Sequence, residues 1–152
     1  MVTAQPVEAA PAMAGRYLTL LLIANLVWEI AQLPLYTPWR EDSPREIASA
    51  VLHCTLGDGI IGTASLASAW VLTRAWGWPE QGFRKVAIAA TFLGAGAAVV
   101  LEWLNVELWR SWSYDAAMPR LPPLGTGLSP VLQWLLLPPL CLLAARRLAP
   151  AR

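Results

Sequence analysis

Charge is what this chain has least of: Lys, Arg, Asp and Glu make up 14% of it, against roughly 25% in soluble domains. That is too little to coat a water-facing surface, and the charges fall in short stretches between long apolar runs, which excludes a soluble globule. The eleven Lys and Arg residues are scattered and nearly balanced by ten acids, so there is no basic face for phosphates and no nucleic-acid partner is expected. Histidine occurs once and cysteine twice, with neither HExxH nor paired-Cys spacing, so neither a metal site nor any other cofactor is expected. Cys54 and Cys141 lie in separate apolar runs and read as ordinary buried thiols, not as a disulfide framework. A Gly-x-Ser-x-Gly elbow is absent, which disfavours a serine nucleophile. Residues 1–15 hold Glu8 as their only charged side chain and lack the basic stretch of a signal peptide; they are expected to form a flexible cytoplasmic tail.

What the chain does have is apolar length. Residues 17–36, 48–71, 86–109 and 128–145 each meet the roughly 17 to 25 residues that a helix needs to cross the hydrocarbon core. The runs are continuously apolar and do not alternate, which excludes the strands of a membrane barrel. The expectation is an all-α polytopic integral membrane protein, a four-transmembrane-helix bundle forming one domain over residues 16–148, with a short tail at 149–152. Residues 37–47, 74–85 and 110–127 carry Pro, Gly or charge and read as loops. Arg16, Arg74, Arg84, Lys85, Arg146, Arg147 and Arg152 fall on one side, against Arg40, Arg45, Arg110 and Arg120 on the other. That asymmetry predicts both termini in the cytoplasm, with a bacterial inner membrane as the expected location. Trp39, Trp109 and Trp112 at one set of span ends, and Trp70, Trp76 and Trp78 at the other, match an aromatic belt, whereas Trp28, Trp103 and Trp134 fall inside spans.

Ionisable and amide groups inside a span are costly in hydrocarbon and are therefore functional candidates. Asn25, Glu29 and Gln32 recur at i, i+4 and i+7 and share one face of the first span. In the second span, Asp58, Gly62 and Ser65 share a face, with His53 turned roughly 140° away at about 100° per residue. Ala90, Gly94, Ala98 and Glu102 make a small-residue packing stripe ending in a carboxyl, with Asn105 a turn further on. Gln133 is the amide of the fourth span. These positions gather in the half of the bundle away from the termini, so a cavity facing the outer leaflet is expected, with Glu29, His53, Glu102 and Asp58 as candidate catalytic groups. Asn25, Gln32, Asn105, Gln133 and Trp103 are the expected substrate-binding side chains.

The plain alternative is that these groups hydrogen-bond one another and fix helix register. Several carboxyls with an imidazole exceed what register needs, because each carboxyl in a low dielectric must be protonated or paired and no Lys or Arg lies deep in a span. The leading expectation is a cavity in contact with membrane lipids that binds, and by acid/base chemistry modifies, a lipid-like or amphipathic small molecule. The alternative is a non-catalytic subunit or assembly factor of a larger membrane complex. Residues 110–127 suit either reading, as a lid over the bundle or as the contact surface for a membrane-protein partner. Ser129 before Pro130 predicts the cap and first residue of the fourth helix.

Overall fold

The computed structural model describes residues 6–149 of the chain. Helix α1 spans Pro6–Gln32 and tightens into a 3₁₀ turn at Leu33–Leu35, α2 is a single turn at Pro38–Glu41, and α3 spans Pro44–Thr73. Helix α4 spans Phe83–Trp103 and widens into a π turn at Leu104–Leu108; a two-residue hairpin of β1 (Arg120–Leu121) and β2 (Thr126–Gly127) precedes α5, Leu128–Arg147. Among the described residues, four helices are long and apolar enough to cross a membrane, Ala9–Leu35, Pro44–Thr73, Phe83–Leu108 and Leu128–Arg147. The protein is an all-α, four-helix integral membrane bundle.

Two helix starts differ from the sequence expectation. Residues 6–15, expected as tail, continue α1: Pro6 stands first, where its missing N–H costs nothing, the Ala-rich stretch favours helix, and Ala10 and Met13 pack into the core. The ends of both expected tails, 1–5 and 150–152, lie outside the described residues. Helix α3 starts at Pro44 because Ser43 caps it: the Ser43 N–H donates to Glu46 Oε2 at 2.9 Å, and the Glu46 N–H donates to Ser43 Oγ at 3.4 Å.

Helices α1 and α4 each pack against both α3 and α5, which closes the bundle into a ring with α1 and α4 on the diagonal. The burial pattern is that of a protein dissolved in lipid. Ile23, Val27, Leu56, Ile60, Leu72 and Phe92 face outward, while Asn25, Gln32, Asp58, Ser65, Glu102 and Gln133 face in. The apolar core fills the half nearer the termini, where Met13, Tyr17, Leu21, Leu66, Ala69, Phe83, Val86 and Leu142 interlock. A smaller group, Ala95, Ala98 and Trp134 with Ile61 against it, marks the boundary with the other half.

That boundary depends on one small residue. Gly94 lies so close to Trp134 that a Cβ on it would sit 2.5 Å from the indole Cε3. The stripe Ala90, Gly94, Ala98, Glu102 is buried throughout, so a single helix face first admits a bulky ring and then delivers a carboxyl to the polar half.

Candidate functional site

At the end of the bundle away from the termini, the helices part around a cavity of about 410 Å³, within the range of small-molecule sites. Each span contributes: Glu29 and Gln32 from α1; His53, Cys54, Gly57, Asp58 and Ile61 from α3; Ala98 and Glu102 from α4; Gln133 and Trp134 from α5. Asn105 and Trp109 line it from the π turn and its end, and Tyr36, Ser111 and Trp112 from the connecting loops.

Gln133 ties three helices together. Its Nε2 lies 2.8 Å from Asn25 Oδ1, 3.0 Å from Glu29 Oε1 and 3.1 Å from Asp58 Oδ2. Gln32 also donates to Glu29 Oε1, at 2.9 Å, and its own carbonyl oxygen accepts from Ser129 Oγ at 2.7 Å. The Trp28 indole N–H donates to Ser129 Oγ at 3.1 Å, completing a network across α1, α3 and α5. Ser129 therefore does not cap α5, as its position before Pro130 had predicted: the helix starts at Leu128 after Gly127, and the hydroxyl serves the cross-helix network instead.

Glu102 is held by aromatic donors. Tyr36 Oη donates to Glu102 Oε1 at 2.9 Å, and the Trp112 indole N–H reaches the same oxygen at 3.4 Å. Tyr36 is fixed by a backbone bridge to Tyr114 and by a ring contact with it at 5.5 Å between centroids. Burial pushes both phenols well above the ordinary tyrosine value, and the Glu102 carboxyl beside them adds to the shift. The loops that carry these residues are fastened to each other: the Asp115 N–H donates to Leu35 O at 2.9 Å, the Thr37 N–H donates to Ser113 O at 3.0 Å, and Arg40 pairs with Asp115 at 3.4 Å. Tyr114 Oη accepts from the Gly127 N–H at 2.8 Å, which ties the hairpin down as well.

All four expected catalytic groups, Glu29, His53, Asp58 and Glu102, line the cavity, as do Gln32, Asn105 and Gln133. His53 is exposed at the rim, whereas Asp58 and Glu102 are buried and Glu29 is half-buried. Asn25 stands behind the wall, 1% exposed and bonded to Gln133. Trp103 is not among the lining residues; it is 37% exposed on the outside of α4, because it follows Glu102 by one residue and is turned about 100° from the inward face. The indole at the cavity is Trp134, which is 2% exposed. Tyr36, Trp112 and Ser129 are site residues that sequence spacing did not single out, since each acts on a partner from another segment. Among the described residues, no group of three or more His, Cys, Asp or Glu side chains is arranged to hold a metal ion, and both cysteines are free.

No known protein family matches the chain, and no curated protein or solved structure is similar to it.

Proposed function

We propose that this membrane protein binds a small amphipathic, lipid-like molecule in its polar cavity and acts on it by acid/base chemistry. The observation that carries the reading is the lining itself: carboxyls on three helices and an imidazole share one space with Ile61, Leu101, Trp109, Trp112 and Trp134. Apolar wall and titratable groups are what an amphiphile and a proton transfer require together. Glu29, Asp58 and Glu102 are the groups that exchange a proton with the bound molecule, and His53 at the rim relays it to water.

The partner-subunit reading draws on the exposed Leu124 and the neighbouring Trp109, but Tyr114 and Met118 of residues 110–127 are buried within the chain and give it no surface. The proposal includes an orientation in a bacterial inner membrane with both termini cytoplasmic. Its support is the cluster of Arg16, Arg74, Arg84, Lys85, Arg146 and Arg147 around the packed end, and terminal reporter fusions test it, since activity of a periplasm-only reporter at the C-terminus would reverse it.

Gly57 offers a direct test of the cavity. It lines the space, and a Cβ there meets no atom within 4 Å, so Gly57→Phe fills the cavity without a backbone clash at the first added atom. Lipid extraction and mass spectrometry of the wild-type protein are expected to find a co-purifying amphiphile that Gly57→Phe lacks. Identical extracts from both proteins would refute the binding reading.

A further inference from the structure

The charges around the cavity do not balance. Glu29, Asp58 and Glu102 line it, Asp42 adds a fourth acid, and no Lys or Arg is among the lining residues, where His53 is the one basic side chain. Of the four arginines on this side, Arg40 pairs with Asp115, Arg120 lies over the Tyr114 ring at 5.0 Å, and Arg45 and Arg110 are not among the lining residues. The groups that hydrogen-bond Glu29, Asp58 and Glu102 are amides, phenols and indoles, all neutral, so they orient the carboxyls without supplying a counter-charge.

Two further features bear on what could supply the missing charge. Both hydrogen bonds to Glu29 fall on Oε1, which leaves Oε2 without a donor among the described residues. Tyr36, Trp109, Trp112 and Trp134 line the same space, and aromatic side chains attract cations through the negative potential of their faces. A phosphate or carboxylate headgroup would instead meet acidic side chains on three helices and no Lys or Arg among the lining residues.

Given a binding cavity as proposed above, we infer that its ligand is a cationic amphiphile, with an aliphatic ammonium headgroup seated among Glu29, Asp58 and Glu102 and its hydrocarbon against the Ile61 and Trp134 side. The ammonium supplies the counter-charge that the chain itself does not bring to the cavity.

Three probes of equal chain length separate the possibilities: dodecyltrimethylammonium, 1-dodecanol and dodecanoate, each titrated at equal, low mole fraction of the detergent into the full chain in a maltoside micelle, with the thermal unfolding midpoint as readout. The ammonium is expected to bind about tenfold or more tightly than the alcohol, and the carboxylate more weakly than either. In the Glu29→Gln, Glu102→Gln double variant the advantage of the ammonium is expected to shrink to near parity while the alcohol still binds. If the alcohol equals or exceeds the ammonium in the wild type, and Gly57→Phe abolishes both, the cavity binds amphiphiles but the inference of a cation is wrong. If the wild type binds no probe, or Gly57→Phe binds all three as the wild type does, the cavity reading itself fails and takes the inference with it. The wild-type comparison stands even where a variant does not fold.

Discussion

The contact between Gly94 and Trp134 gives a prediction that can be worked through in numbers. A methyl group on residue 94 would lie 2.5 Å from the indole Cε3 and 2.6 Å from Cζ3, well inside van der Waals contact, whereas a methyl on Gly96 of the same helix meets no atom within 4 Å. Both Gly→Ala changes gain the same helix propensity, about 1 kcal/mol, so the difference between them isolates the overpacking. A buried clash of this kind costs about 1–3 kcal/mol. Gly96→Ala is expected to match or exceed the wild type in stability, and Gly94→Ala to fall below Gly96→Ala by that amount. Equilibrium unfolding in mixed micelles of mild detergent and dodecyl sulfate, followed by circular dichroism, measures the difference. Because Trp134 also lines the cavity, Gly94→Ala should weaken amphiphile binding as well, while Gly96→Ala leaves it intact. Equal stability of the two alanine variants, within about 0.5 kcal/mol, would refute the close packing of α4 against α5 at this point.

Other outcomes follow from polar groups at the two ends. Tyr17 is wholly buried in the apolar core and its hydroxyl has no hydrogen-bond partner among the described residues, so Tyr17→Phe is expected to leave stability unchanged or raise it by up to about 1 kcal/mol; a clear loss would show that the hydroxyl is engaged. The upward shift of Tyr36 and Tyr114 makes their contribution to stability complete below about pH 10 and progressively lost as pH rises above it, because the unfolded phenols ionise first. In the Tyr17→Phe background, tyrosinate absorbance should therefore appear together with unfolding. Its appearance in the folded protein near pH 10 would contradict the burial of both phenols.

The four crossings are legible in the sequence because lipid imposes one simple demand, a long apolar run, and each of the four runs meets it. Their starts were harder to read. The Ser43-Pro44-Arg45-Glu46 cap lies ahead of the apolar stretch it opens, and the Ala and Pro residues of 6–15 are not hydrophobic enough to stand out although Ala10 and Met13 join the core. Within the site, helical spacing placed Asn25, Glu29 and Gln32 on one inward face, and Asp58, Glu102 and Gln133 converge with them. Spacing could also have separated Trp103 from the cavity, since it adjoins the inward Glu102 on the helix wheel. It could not have found Tyr36, whose partner Glu102 is 66 residues away, or Ser129, whose partner Gln32 is 97 away, because such pairings come from the packing of whole helices.

The amide of Gln133 has two hydrogens, yet three oxygens lie within 3.1 Å of its nitrogen. At any moment one of the three goes unserved by it. Glu29 also takes a hydrogen from Gln32, so both hydrogens of Gln133 can go to Asn25 and Asp58 without stranding it. The three acceptors are thus unequal partners. On the proposed reading, Glu29 can turn toward a bound molecule while Gln133 keeps its bonds to Asn25 and Asp58 and so keeps the three helices joined.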